Sequence, residues 1–194
     1  MPVRPVLITG EPVLHRLAQR VEHFDEALAQ LVADLHETTA AAHGVGLAAP
    51  QVGVGLRVFV WSMANDDGVP ERGSLVNPML RLAKLADGTP DKDKDSEGCL
   101  SVPGEHFPLR RSARAEVFGQ DLDGEPVEFV ATGWFARCVQ HETDHLNGML
   151  YVDRLDDRWG KKARKTIRTH GWGRPGFSWM PGVDPDPFGH DDEE

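Results

Sequence analysis

The chain has 194 residues, 40% of them hydrophobic and 27% charged, a balance that suits one globular domain with a buried core. Its formal charge of −10 argues against a broad nucleic-acid surface. No apolar run approaches the ~20 residues that cross a bilayer, and Met1-Pro2-Val3-Arg4-Pro5 lacks the apolar core of a secretion signal, so the expected location is the cytoplasm with no membrane partner.

In chain order, Asp25 to His43 carries apolar residues at Leu28, Leu31, Val32 and Leu35, a helical spacing, with Asp25 as N-cap and Gly44 as stop. Arg57 to Trp61 reads as a buried strand. Leu75 to Leu82 reads as another, placed at an edge because Asn77-Pro78 interrupts it. Asp66 to Gly73 and Asp87 to Asp95 read as solvated loops, the second a mobile insertion. Ala113 to Asp121 and Pro126 to Ala131 alternate as a hairpin around Leu122-Asp123-Gly124. Gly133 to Asn147 reads as a helix ended by Gly148, and Asp153 to about Thr169 as a second, basic helix. The arrangement predicts an α+β fold. Residues 1–170 form the expected catalytic domain. Residues 171–194 form a tail rich in Pro and Gly, carrying Trp172, Phe177, Trp179, Met180 and Phe188 and ending in acidic residues, partly extended or disordered.

The chemistry centres on Gln140 to Gly148. His141 and His145 are four residues apart, hence on one helix face, since the helix turns once every ~3.6 residues. Both imidazoles can reach one divalent ion, and Glu142 can take a proton from a water that the ion activates. Phe135, Val139, Leu146 and Leu150 give this helix an apolar face, so the histidines lie near a core where an unpaired imidazole is costly.

Two thiols compete for the third position, and two cysteines are too few for a disulfide framework in such a compartment. Cys138 lies on nearly the same helix face, but seven residues from His145, a rise of ~10 Å at ~1.5 Å per residue. A short side chain does not close that gap to a ligand distance of ~2.3 Å. Cys99, in Glu97-Gly98-Cys99-Leu100-Ser101, approaches from a separate segment, and Gly98 leaves room for it. A third segment, Gly44 to Gln51, is glycine and alanine at nearly every position, so something large passes close to its backbone. On residues alone, a zinc endopeptidase and a purely structural metal site stay open beside an amide hydrolase.

Together the three segments resemble the peptide deformylases, whose GxGxAAxQ turn, EGCxS strand and QHExDHLxG helix stand intact at Gly44 to Gln51, Glu97 to Ser101 and Gln140 to Gly148. The resemblance runs from about Val6 to Arg168. It implies antiparallel sheets packed around a central HExxH helix, with a C-terminal helix and an extended tail. It implies that Cys99, His141 and His145 hold one ion, Fe²⁺, with Ni²⁺, Co²⁺ or Zn²⁺ able to substitute, and that Glu142 is general base and then acid. Gln51 and the Leu100 backbone N–H would meet the oxyanion. Gly44, Val45, Gly46, Gly98, Phe135 and Cys138 would line the substrate site, and Glu97 would pair with Arg111 to hold the cysteine segment. The implied substrate is the formylmethionine end of a nascent polypeptide. Some members also touch the ribosome through a basic C-terminal helix, here carrying Arg154, Arg158, Lys161, Lys162, Arg164, Lys165 and Arg168. This chain departs from those members by adding the aromatic and acidic tail.

Overall fold

A computed structural model describes residues 2–64, 70–85 and 88–189. Of the loops expected at 66–73 and 87–95, residues 66–69 and 87 lie outside the described residues, as do the acidic residues 191–194.

The chain opens with β1 (Val6–Leu7), then α1 (Glu26–Ala41), β2 (Gly46–Ala48), β3 (Val58–Ala64) and β4 (Pro70–Leu82). The hairpin β5 (Ser96–Cys99) and β6 (Val102–Pro108) leads to β7 (Arg114–Gln120) and β8 (Pro126–Thr132). Then come α2 (Gly133–Leu146), α3 (Asp157–Thr169) and β9 (Ser178–Trp179). One antiparallel sheet has the order β2-β3-β4-β7-β8, and β5-β6 and β1-β9 form two small sheets beside it. The fold is α+β, with antiparallel sheets around α2.

The alternation of β3 explains why two helices share one sheet. Val58 and Val60 pack with Leu28, Leu31, Val32 and Leu35 of α1. Phe59 points the other way, into a cluster with Val139 and Leu146 of α2. A strand covered on both faces reads as a continuous apolar run, which is how Val58 to Trp61 reads. Asp25 caps α1 by accepting from Leu28 N–H at 3.1 Å. The left-handed residue past the helix is His43, at φ +50°, one position before the expected Gly44.

β4 is not an edge strand. It lies between β3 and β7, with a register shift between Val76 and Met79. Asn77, at φ +50°, and Pro78 form a bulge there, so the missing Pro78 N–H costs the ladder nothing. The Asn77 side chain takes over the lost pairing. Its Oδ1 accepts from Val21 N–H at 2.8 Å, and its Nδ2 donates to Val21 O at 3.0 Å and Gln120 Oε1 at 2.8 Å.

The second helix starts later than Asp153. Tyr151–Arg154 forms a 3₁₀ turn, and Asp156 caps α3 by accepting from Trp159 N–H. Arg154 therefore leaves the basic helix and bonds Asp144 instead. After α3 the chain returns to the N-terminal segment, where Val6 pairs with Trp179. No helix among the described residues is long and apolar enough to cross a membrane.

His36 on α1 is half-buried, and burial together with Arg72 lowers its pKa from 6.5 to about 4. The folded chain therefore holds this imidazole neutral. The stability it confers is complete above about pH 6.5 and is lost as pH falls toward 4. Replacing His36 with Gln is expected to flatten the decline of the urea midpoint between pH 7 and 4.

Candidate metal centre

α2 is buried on nearly every side, so each polar residue on it needs a partner. Gln140 bonds the backbone of Ser112 and Ala136 and anchors the middle of the helix. Gly148, at φ +73°, ends it where a Cβ would lie 2.7 Å from the Arg16 backbone. Arg137, His141 and Asp144 follow at i, i+4 and i+7, one stripe directed at β5.

Glu97 of β5 meets that stripe. It is 5% exposed and accepts four hydrogen bonds: from His141 Nδ1 at 2.7 Å, Arg111 Nη2 at 2.7 Å, Arg111 Nε at 3.1 Å and Arg137 Nη1 at 2.7 Å. Burial alone would raise this carboxyl, but the bonds from His141 and Arg111 hold it well below the usual carboxylate range. Because the ionised carboxylate only accepts, the His141 Nδ1 bonded to it carries a proton, and Nε2 is the ring nitrogen that faces His145. Arg111 also reaches Asp144 at 2.6 Å, and Arg154 binds the same carboxylate through two bonds of 2.6 Å. The expected Glu97–Arg111 contact is thus one link of a chain running through Asp144, Arg137 and Arg154. Tyr151, whose hydroxyl donates to Glu105 O, stacks on the His141 ring.

Cys99 arrives from the other side. The β5–β6 pairing shifts register between Gly98 and Cys99, whose partners are His106 and Val102. The Cys99 Sγ lies 3.3 Å from His145 Nε2, which lies 3.2 Å from His141 Nε2. The three donor atoms fall within 4.8 Å of one another. Ligands ~2.1–2.3 Å from a tetrahedral ion sit about 3.4–3.8 Å apart, so the donor set needs only a few tenths of an ångström of adjustment to hold a divalent metal. Burial lowers the His145 pKa well below the usual imidazole value, keeping the ring neutral as a ligand requires. Cys138 is elsewhere: its thiol faces Val45 O at 3.8 Å, and burial pushes its pKa well up, leaving a protonated, poor ligand.

A cleft of about 500 Å³ opens on this centre, lined by Gly44, Val45, Gly46, Gln51, Gly98, Cys99, Leu100, Cys138, His141 and Glu142. Gly46 sits on β2, and a Cβ there would lie 2.6 Å from Glu142 Oε1 and 3.0 Å from Cys138 Sγ. Glu142 is 3% exposed, and its Oε2 has no partner among the described residues. Burial raises its pKa to about 7. Gln51 stands on the 3₁₀ turn Ala49–Val52 and is 1% exposed. Its Oε1 accepts from Ala48 N–H at 2.8 Å, which leaves Nε2 to face Ser101 Oγ at 3.2 Å and Cys99 Sγ at 3.8 Å.

Phe135 is not with these residues. Its ring stacks on Phe129 and tilts against Trp61, inside the cluster between α2 and the sheet. The next-door Trp134, 59% exposed, lines the cleft instead, with His106 and the tail residue Phe188. The sequence reading missed Arg137, although its spacing from His141 and Asp144 is legible. Trp134, His106 and Phe188 leave no comparable local signal.

Comparison with known proteins gives one answer. The polypeptide deformylase family model matches residues 3–160. A peptide deformylase of Mycolicibacterium paratuberculosis is 52% identical over 98% of this chain and 100% of its own length. Among solved structures, a peptide deformylase from Legionella pneumophila superposes with a TM-score of 0.74 at 36% identity, covering 88% of this chain and 96% of its own. One from Acinetobacter baumannii, bound to Met-Ala-Ser, gives 0.67 at 36% identity over 79% and 99%. Matched in sequence along its length and in the fold that gathers Cys99, His141 and His145, the chain belongs to the polypeptide deformylase family and is a metal-dependent deformylase.

Proposed function

We propose that this enzyme removes the formyl group from the N-terminal formylmethionine of nascent polypeptides and releases formate. The observation that carries this reading is a buried carboxylate, Glu142, with one oxygen unpartnered among the described residues, beside a Cys-His-His donor set and under a glycine backbone. Cys99, His141 and His145 would hold the ion, Fe²⁺ by family likeness, with Ni²⁺, Co²⁺ or Zn²⁺ substituting. Held there, the ion would supply Lewis acidity for the formyl oxygen and a lowered pKa for the attacking water.

Glu142 takes the proton from that water and returns it to the departing amine nitrogen. As the formyl carbon becomes tetrahedral, its oxygen gains charge and is met by Gln51 Nε2 and the Leu100 N–H. The Ala48–Gln51 bond supports this role, since it fixes the amide with its donor end toward Cys99. Gly44 and Gly46 crowd the reacting centre enough to admit hydrogen on the carbonyl carbon and exclude a methyl. The methionine side chain would lie against Val45 and Cys138. Its peptide would extend β2, which pairs only with β3 among the described strands, and run past Gly98. The Met-Ala-Ser bound by the Acinetobacter baumannii relative supports such an occupant. On α3, Lys161, Arg164, Lys165 and Arg168 are exposed and support a transient contact with the ribosome.

The test is formate release from formyl-Met-Ala-Ser beside acetyl-Met-Ala-Ser and an internal peptide, with anaerobically purified, metal-counted protein. Only the first substrate is expected to turn over, and cleavage of the internal peptide would sink the reading. Cys99→Ser is expected to lose the ion while Cys138→Ser keeps it. Gly46→Ala should lower kcat/KM on the order of 10²-fold at unchanged metal content, because its methyl displaces the Glu142 carboxylate.

A further inference from the structure

The peptide unit joining Leu100 to Ser101 carries two hydrogen bonds that run in series. Its N–H, on Ser101, donates to Cys99 Sγ at 3.4 Å. Its C=O, on Leu100, accepts from the indole Nε1 of Trp179 at 2.9 Å. A trans peptide is planar, with the two groups pointing in opposite directions, so a bond at one end sets the aim of the other. Trp179 lies in the tail, beyond the residues 3–160 that the family model matches. It is 8% exposed, held in register with Val6 and packed with Val6, Ile8 and Ala42. Thr9 N–H donates to Ser101 O at 2.8 Å, so both ends of the chain grip the segment after Cys99.

We propose that Trp179 is a positioning residue for the Cys99 thiolate, acting through the Leu100–Ser101 peptide. The inference rests on Cys99 being a metal ligand. An N–H aimed at sulfur withdraws electron density from it, and hydrogen bonds in series polarise one another. The indole therefore strengthens the Ser101 donor and keeps it directed at Sγ, while holding Leu100 at the wall of the cleft. Groups just outside a metal's ligands typically change its affinity 10–100-fold, and Trp179, one peptide further out, belongs at the lower end.

The experiment uses the full chain loaded with Co²⁺, whose thiolate-to-cobalt charge-transfer absorption reads the sulfur directly. Trp179→Phe keeps an aromatic ring and loses the donor. Its band is expected at longer wavelength than in the natural chain, with Co²⁺ lost to a chelator on the order of 10-fold faster. Phe177→Ala thins the same tail packing but leaves the indole, and is expected to lower Tm without moving the band. A band unmoved in Trp179→Phe, or moved as far in Phe177→Ala, overturns the proposal alone. A natural chain with no thiolate band overturns the ligand assignment and the proposal with it. Should Trp179→Phe fail to fold, the natural chain still decides. On loading metal-free protein with Zn²⁺, the indole N–H resonance of Trp179 is expected to shift together with the Ser101 amide, and an indole resonance that stays in place overturns the proposal.

Discussion

Glu142→Ala is expected to lower kcat/KM for formyl-Met-Ala-Ser by about 10³-fold, within the 10²–10⁴ typical of a positioned acid–base group. The loss should appear in kcat, because in the proposed mechanism the carboxylate acts on the water and the leaving nitrogen, not on the methionine pocket. The ion should stay, at one per chain, since the three converging donor atoms do not include this residue. Stability should not fall. A carboxylate that is 3% exposed, with one oxygen unpartnered among the described residues, is held at a cost, which its pKa of about 7 records. Removing it relieves that cost, as expected where a site trades stability for chemistry. Steady-state kinetics, metal analysis and thermal unfolding on the same preparation check the three parts. A variant that loses its ion or melts early would show that Glu142 is structural.

Glu97→Gln is expected to fail in the opposite way, through the framework first. The carboxylate accepts from His141, Arg111 and Arg137, and the amide that replaces it turns an NH₂ group toward cations. Breaking a buried ion pair on one side costs about 3–5 kcal/mol, which for a chain of this size lowers Tm by roughly 10 °C. His141 also loses the acceptor that keeps its proton on Nδ1, so metal affinity should weaken about 10–100-fold. The pH dependence follows from the sign of the shift. Glu97 is held below its ordinary 4.5, so its stabilisation is present above that pH and is lost only as pH falls through the lower folded value. The natural chain should therefore tolerate mild acid better than Glu97→Gln tolerates neutral pH. Urea unfolding and competition with a chelator measure both effects.

Much of the centre is readable along the chain because its parts are local. His141, Glu142 and His145 need only the pitch of a helix to share a site. The argument against Cys138 is likewise one of axial rise, and the thiol does face Val45 O. The hairpin around Gly124 follows from period-2 alternation, and the strand at Val58 to Trp61 from an unbroken apolar run. Other features differ from the local expectation where a partner distant in sequence decides. Pro78 signals an edge only if no bulge absorbs it, and Asn77 supplies that bulge through Val21 and Gln120. Phe135 and Trp134 are adjacent aromatics, and only the sheet behind α2 determines which one is buried.

The sequence by itself determined that the two histidines share a helix face with Glu142 beside them, the axial distance of Cys138 from His145, the core face of α1 and the hairpin around Gly124. Each is a short-range consequence of helix pitch or strand pleat. Only the tertiary structure decided how Glu97 joins His141 to Arg111, Arg137 and Asp144, and why Gly46 admits no side chain. It alone brings Trp179 to the Leu100 carbonyl and Phe188 to the cleft from the end of the chain. Those contacts span tens of residues, and no local rule for helix or strand specifies which distant side chain fills a given hydrogen bond.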